Sequence, residues 1–479
     1  MPSPDLAAVH FDDVAAARTD PAFPRFHPRP AQGWINDPNG ISYINGRYHV
    51  FFQYNPDSAR HHRIAWGHVS SADLVRWEEH PVALRPQDGG PDEYGCWTGV
   101  VTDDGGVPTA AYSGVRGDGG HSQVVIARGS SDLVTWEQTG HVAATMPDDG
   151  QVTAVRDPFI FRFNGKRYAM QGAGLANGHA ALLLYTVEDM SDWKYQGIWL
   201  TSENPVASEF TPAEIWECPQ LVQVPDSSGD SSGDSGTAGD SGTWLMMFSL
   251  WLAGDEHEHA NGVGHLVGSL TEDAETGLPV FTPRGGGKSD LGRDFYAPQI
   301  VSLEDRALLW GWANEGPGRD GRRGRSQDEI DAAGWAGVLT FPRELSVVDG
   351  ALAVSPSPEI AAYRGQSVAK ALGGTVVLPS AAEALVMDGR NIAAGSGEVR
   401  LVLVGGGDGD TSGDRQVVFA EPLPEGGSLR IFVDASIVEV YRTNGVATTV
   451  RAYPLPGEEW HLELPGRAQA EVWELAQPE

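Results

Sequence analysis

The sequence predicts an all-β protein, and three observations carry that expectation. Glycine and proline are abundant, 60 and 32 of 479 residues, which suits many turns and short strands. Apolar runs are joined by hairpin dipeptides: residues 41–44 and 47–54 flank Asn45-Gly46, and Phe163 and Lys166 flank Asn164-Gly165. Asn-Gly between apolar runs is a strong hairpin signal. A unit also recurs. Asp73-Leu74-Val75-Arg76-Trp77 returns as Asp132-Leu133-Val134-Thr135-Trp136 and, more loosely, as Asp189-Met190-Ser191-Asp192-Trp193. A strand-rich unit repeating roughly every 60 residues is the pattern of β-propeller blades with generous loops, and five of them fill about 300 residues.

The chain then divides in order. Residues 1–350 are expected to form the propeller, opening with an irregular lead-in over 1–30 that holds a short helix before Asp20 and a proline-rich approach after it. Residues 226–243 are a Ser/Gly/Asp tract that can bury nothing, so a flexible loop between two strands of one blade is expected. The spacing of its aspartates matches no calcium loop. Residues 315–331 cluster Gly, Arg and Asp and read as a second exposed loop. After Arg343-Glu344-Leu345 the texture changes to alternating strands with Gly-rich turns, as in 429–441, so residues 351–479 read as a C-terminal β-sandwich.

Bulk properties exclude several function classes. The formal charge of −32 and pI of about 4.7 repel nucleic acid and anionic membranes. No apolar run approaches the roughly 20 residues of a spanning helix. No basic segment followed by an apolar run opens the chain, and the two cysteines, Cys96 and Cys218, make neither a disulfide framework nor a metal pattern. A reduced, cytoplasmic setting is the expectation, with no metal and no cofactor. The 15 tryptophans suit both core packing and stacking on sugars.

The chemistry concentrates in three acid–proline stretches: Trp34-Ile35-Asn36-Asp37-Pro38-Asn39-Gly40, Arg156-Asp157-Pro158 and Trp216-Glu217-Cys218-Pro219. Proline pushes the residue before it out of the helical region, so each acid is expected on extended backbone near a strand end. Asn-Asp-Pro-Asn-Gly alone is also ordinary turn chemistry. A ring of blades, whose inner strands all face one axis, is what allows carboxylates so far apart in sequence to meet. Arg156 beside Asp157 is expected to keep that acid charged, and Trp216 and Cys218 are expected to give Glu217 a surrounding of low polarity.

Together these stretches resemble the signature motifs of glycoside hydrolase family 32, the invertases, levanases, inulinases and related fructosyltransferases. Asp294-Phe295-Tyr296-Ala297, Gly334-Trp335-Ala336-Gly337, Pro342-Arg343-Glu344-Leu345 and Val433-Asp434-Ala435-Ser436 extend the likeness in the same order. The resemblance implies a five-bladed β-propeller followed by a β-sandwich. It implies Asp37 as nucleophile, Glu217 as general acid/base and Asp157 as stabiliser of the transition state. It also implies a fructose pocket of Asn36, Gln53, Arg156, Tyr296 and Trp312, with Trp97 and Thr98 where relatives often carry Phe-Ser. His61 stands where a tryptophan is common. A His61–His62 metal site lacks further ligands.

The expected function is release of terminal, non-reducing β-D-fructofuranosyl units from sucrose and short fructo-oligosaccharides, with retention and through a fructosyl-Asp intermediate. Fructosyl transfer and exo-levanase or inulinase activity are alternatives within the family. A non-catalytic carbohydrate-binding propeller is the alternative from another class, and the complete set of three acids speaks against it. The partner is a small sugar, with no nucleic acid and no membrane, and the sandwich is the candidate surface for self-association.

Overall fold

The computed structural model describes residues 9–10, 20–117, 121–225, 243–254, 260–315, 322–388, 397–405, 415–423 and 426–478. The chain is a five-bladed β-propeller followed by a β-sandwich. Blade one runs Gly33–Ile44, Arg47–Asn55, Ala65–Ser71 and Trp77–Leu84; blade two runs Gly95–Asp104, Val107–Val115, Ser122–Gly129 and Trp136–Ala144. Blade three spans Val152–Phe163 to Asp192–Thr201, and blade four Ile215–Val224 to Pro279–Lys288. A pairing of Gly174 with Ile215 fuses these two blades into one sheet. Blade five holds Phe295–Ser302, Ala307–Ala313, Arg343–Val348 and Ala351–Pro356.

The repeats seen in sequence have a common job. Asp73, Asp132 and Asp189 each accept hydrogen bonds from backbone amides two residues on, folding the turn before the fourth strand of blades one, two and three. Trp77 and Trp136 open that strand in the first two blades, and Trp193 follows Asp192 at its start in the third. The Asn-Gly pairs are hairpin turns with both residues at positive φ, 52° and 77° at Asn45-Gly46, and 49° and 74° at Asn164-Gly165. The ring closes by a different device. Trp335–Ala336, inserted within blade five, pairs in parallel with Gly33–Trp34 of blade one. Gly337 follows at φ 76°, and a Cβ there would lie 1.9 Å from the Ile35 carbonyl oxygen, so this closure requires glycine.

One irregularity recurs around the axis. The first strand of every blade slips by one residue against its neighbour at the same level: between Ile35 and Pro38, Cys96 and Gly99, Arg156 and Phe159, Glu217 and Gln220, and Tyr296 and Gln299. Such bulges bend a strand and re-aim its side chains. In blades three, four and five the residue before proline is left-handed, with φ of 59° at Asp157, 50° at Cys218 and 50° at Ala297. Extended backbone was expected at Asp157, and Cys218 was expected outside the helical region. Proline does exclude the right-handed helical region, but the bulge selects the left-handed one. The amides turned inward are satisfied by the preceding blade: Asp157 N–H donates to Ser113 Oγ, Cys218 N–H to Asp157 Oδ2 and Ala297 N–H to Ser249 Oγ.

The sandwich is one eight-stranded sheet folded on itself. Its long strand Glu458–Leu475 pairs with Glu398–Gly405, Ala381–Asp388 and Arg364–Leu378, joining the two layers. Strand Ala351–Pro356 pairs with Arg343–Val348 inside blade five, so we propose that the domain division lies between 356 and 364 rather than at 350. Phe341, Phe432 and Tyr441 pack in one core with propeller residues, binding the domains together. The tract 226–242 and most of the lead-in lie outside the described residues, while the strands flanking the tract, Ile215–Val224 and Thr243–Trp251, pair with each other.

The expectation of an exposed loop over 315–331 holds only in part on the described residues: Ser326, Gln327, Asp328, Glu329 and Asp331 are exposed. Glu315, Arg322 and Arg325 are buried, and Gln327–Ala333 is a helix with a Ser326–Glu329 capping box. Glu315 takes Arg325 and Arg451 as ion partners and a hydrogen bond from Tyr453, so charge complementarity with the sandwich carries this segment inward. Among the described residues, no helix is long and apolar enough to cross a membrane.

Candidate active site

The five bulges aim their side chains at one place. Asn36 and Asp37 arrive from blade one, Trp97 and Thr98 from blade two, Arg156 and Asp157 from blade three, Glu217 and Cys218 from blade four, and Tyr296 from blade five. A linked set of contacts follows. Asp37 Oδ2 accepts from Gln53 Nε2 at 3.0 Å, from Thr98 Oγ1 and from Cys218 Sγ at 3.5 Å. Its Oδ1 accepts from Asn36 Nδ2 at 3.1 Å. Asn36 is itself set by Trp34 Nε1 and Gln53 Oε1, both at 3.0 Å. Asp157 Oδ2 accepts from the Cys218 amide at 2.9 Å and from its thiol at 3.6 Å, so one cysteine touches two of the three acids. Glu217 accepts from Arg156 Nε at 2.7 Å and from the Tyr296 hydroxyl at 2.6 Å.

Two expectations about Glu217 and its neighbours are corrected here. Arg156 gives its Nε to Glu217, and its pull on the Asp157 carboxyl does not offset burial and the neighbouring acids. Trp216 faces the other way along the strand, stacked on Phe248 with ring centroids 4.3 Å apart and donating to the Thr211 carbonyl. Successive strand residues point to opposite sides, so Trp216 cannot flank the carboxyl that follows it. Glu217 instead sits between a guanidinium and a phenol.

The cluster is electrostatically crowded. Burial and the nearby Glu217 push the Asp37 carboxyl up to about 6, against the hydrogen bond of Thr98. Asp157 is raised further, by burial first and then by Glu217 and Asp37, with Arg156 opposing. The Cys218 thiol is pushed up by burial and by all three acids, so it stays a protonated donor. Three carboxyls face one guanidinium. A proton held on Asp37 or Asp157 relieves the excess.

An apolar wall stands beside the acids. Trp34, Tyr296, Trp312 and Cys218 share a buried cluster, with Trp97 packed on it. Trp34 and Trp312 lie 5.9 Å apart, and the Trp312 Nε1 is buried next to Gly337. All ten residues singled out in sequence, Asp37, Asp157, Glu217, Asn36, Gln53, Trp97, Thr98, Arg156, Tyr296 and Trp312, thus fall in this network. Gln53 and Thr98 lie on the carboxylate of Asp37. Cys218 and Ser113 were missed as site residues; the only signal for Cys218 was its place between an acid and a proline. Among the described residues, no group of three or more His, Cys, Asp or Glu is arranged to hold a metal.

Comparison with known proteins agrees with this geometry. The Glycosyl hydrolases family 32 N-terminal domain matches residues 27–356. The chain belongs to glycoside hydrolase family 32. It is therefore a glycosidase. It is 30% identical to the raffinose invertase of Escherichia coli, over 94% of this chain and 93% of that protein. It is 31% identical to the sucrose-6-phosphate hydrolase of Klebsiella pneumoniae, over 90% of this chain and 88% of that protein. Among solved structures, a Bombyx mori GH32 beta-fructofuranosidase mutant in complex with sucrose superposes with a TM-score of 0.76 at 24% identity, covering 98% of this chain and 97% of that one. Fructan 1-exohydrolase IIa of Cichorium intybus superposes with a TM-score of 0.74 at 20% identity, covering 96% of this chain and 99% of that one. At these identities the two structures speak to the fold.

Proposed function

We propose that the chain is a β-fructofuranosidase that releases terminal, non-reducing fructosyl units from sucrose and short fructo-oligosaccharides with retention. The observation that carries this reading is the convergence of Asp37, Asp157 and Glu217 from three blades into one cluster. In the first step an oxygen of Asp37 bonds to C2 of the fructosyl unit. The C2–O glycosidic bond breaks, and the departing oxygen takes a proton from Glu217. Glu217 then takes a proton from water, whose oxygen attacks C2 as the bond to Asp37 breaks. Oδ2 of Asp37 is held by Gln53, Thr98 and Cys218, whereas Oδ1 has Asn36, so Oδ1 is the attacking atom.

The neighbours of Glu217 fit its double duty. A phenol both donates and accepts, so Tyr296 can hold Glu217 in either protonation state. Asp157 is fixed by the Cys218 amide and serves as acceptor for sugar hydroxyls, whose bonds strengthen at the oxocarbenium-like transition state. Attack requires ionised Asp37, so kcat/KM should fall on the acid side of about pH 6. We place the activity in the cytoplasm, in keeping with two buried free thiols.

A phosphorylated substrate is the second reading, because several relatives are named sucrose-6-phosphate hydrolase. The rim weighs against it here: Arg60 is ion-paired with Asp331 and Arg63 with Asp88. The test is a time course of free glucose and fructose from sucrose, run beside sucrose-6-phosphate. Equal release of both sugars from sucrose, at higher kcat/KM than from the phosphorylated sugar, is expected. Glucose outrunning fructose would mean transfer to another sugar, and preference for the phosphorylated substrate would overturn the choice of substrate.

A further inference from the structure

His61 is the outermost ring of the aromatic wall. It lies edge-on to Trp34, with centroids 6.1 Å apart and planes at 80°, and edge-on to Trp97, at 5.7 Å and 66°. Trp34 is buried, Trp97 half-buried and His61 exposed, so the three rings step from the floor of the site to its mouth. Both tryptophans are tied to Asp37. Trp34 Nε1 bonds Asn36, which bonds Asp37, and Trp97 precedes Thr98, which also bonds Asp37. His61 therefore stands at the mouth of the site whose floor holds Asp37.

The loop that carries His61 is fixed at several points. Asn55 Nδ2 bonds Ser58 Oγ and the Arg60 carbonyl, and the Trp34 amide donates to the Ser58 carbonyl. Arg60 reaches Asp331, and on the far side Ile64 bridges to Gly95 of blade two. A ring held this way is positioned before any ligand arrives. An imidazole in this position brings what an apolar ring does not, two ring nitrogens that exchange hydrogen bonds with hydroxyls.

Resting on the fructosidase reading above, we infer that His61 is a specificity residue for the leaving sugar. Its imidazole hydrogen-bonds a hydroxyl of the neutral sugar that departs from the fructosyl unit. The cations beside it, Arg60 and Arg63, are matched by Asp331 and Asp88, so the mouth is built for hydroxyls rather than for a phosphate. A hydroxyl-binding site discriminates against a leaving group that lacks the hydroxyl.

The test compares sucrose with methyl β-D-fructofuranoside, which carries the same fructosyl unit but no leaving sugar. His61→Ala is expected to lose about ten-fold in kcat/KM on sucrose, and at least five-fold less on the methyl fructoside, mainly through KM. His61→Gln, which keeps a donor and an acceptor, is expected to recover most of the ratio, and His61→Phe is not. Thermal melting of each variant separates misfolding from lost contact. Equal losses on both substrates, or none on either, would overturn the inference. Wild-type protein inert on both would instead sink the fructosidase reading, and the inference with it.

Discussion

Two regions of this molecule bury several acids each, and they do so in opposite ways. At the propeller axis, three carboxyls share one arginine, and both Asp37 and Asp157 are pushed up. At the seam between propeller and sandwich, the acids have enough partners. Glu439 accepts from Arg343, His27, Tyr441 and the Phe341 amide, and is held down at about 2 despite burial. Glu315, between Arg325, Arg451 and Tyr453, is likewise held at about 2. Asp434 accepts three successive amides of the lead-in, Arg25, Phe26 and His27, together with the His27 ring. Burial alone would lower His27, but its bonds to Asp434 and Glu439 raise it, with a carboxylate oxygen on each ring nitrogen. The difference teaches where to look for chemistry. Compensated acids fasten domains, whereas uncompensated acids that the fold nevertheless holds together are kept for reaction.

The largest effect that would break this contrast is in rate. Asp37→Ala is expected to cut turnover of sucrose by about 10⁴-fold or more while leaving the melting temperature unchanged or higher, because it removes one charge from a crowded group. Retained activity would refute the nucleophile, and a sharp loss of stability would refute the crowding. Glu217→Gln should lose far more rate on sucrose than on an aryl fructoside with a good leaving group, measured as the ratio of kcat/KM values; equal losses would count against its acid role.

The seam should respond in the other direction. Arg343 donates to Glu439, Asp290 and Thr449 and is fully buried. Arg343→Ala strands two buried carboxylates, and a loss of about 3–5 kcal/mol is expected from denaturant melts. Activity per folded molecule should persist. A stable variant would mean that the seam acids are not held as described.

Smaller still is the dependence of stability on pH. Folded Asp37 holds a proton between its ordinary value of 3.8 and about 6, where the unfolded chain has lost it. The folded state thus binds more protons in that window, so the Asp37 contribution to stability falls as pH rises through it. Asp157 extends the fall to higher pH. Glu315 and Glu439 have the opposite sign: their contribution is present above 4.5 and is lost as pH falls toward 2. Melting curves of an Asp37→Asn, Asp157→Asn double variant should therefore be flatter than wild type from pH 4 upward, with the loss toward acid unchanged. The smallest effect is expected from Thr98→Val. It removes a bond that holds Asp37 down, so the acid limb of kcat/KM should move up by less than about one pH unit.

Much of this contrast was legible in the sequence, though unevenly. Alternating strands, Asn-Gly turns and the repeated Asp–Trp unit announced the blades, because period-two patterning and turn chemistry are local. The three acids were legible because each stands one or two residues before a proline. The bulges were not. A one-residue slip is a property of two paired strands, and Cys96 to Gly99 or Tyr296 to Gln299 carry no local mark of it. The true neighbours of Glu217 were hidden for the same reason, since Tyr296 reaches it from another blade. Arg343 and Asp434 stood out only through the resemblance to a family. Their physical role depends on contacts roughly 100 and 400 residues away in sequence, beyond any local pattern.

The central claim is that the uncompensated acid Asp37 becomes covalently joined to the sugar. The most direct measurement is mass spectrometry of the enzyme acid-quenched during turnover, with Glu217→Gln and an aryl fructoside used to slow breakdown of the intermediate. A mass increase of one fructosyl residue on the peptide that contains Asp37, absent from Asp37→Ala, is the predicted result. Turnover with no adduct on any peptide, together with inversion at C2 of the released fructose, would contradict the account.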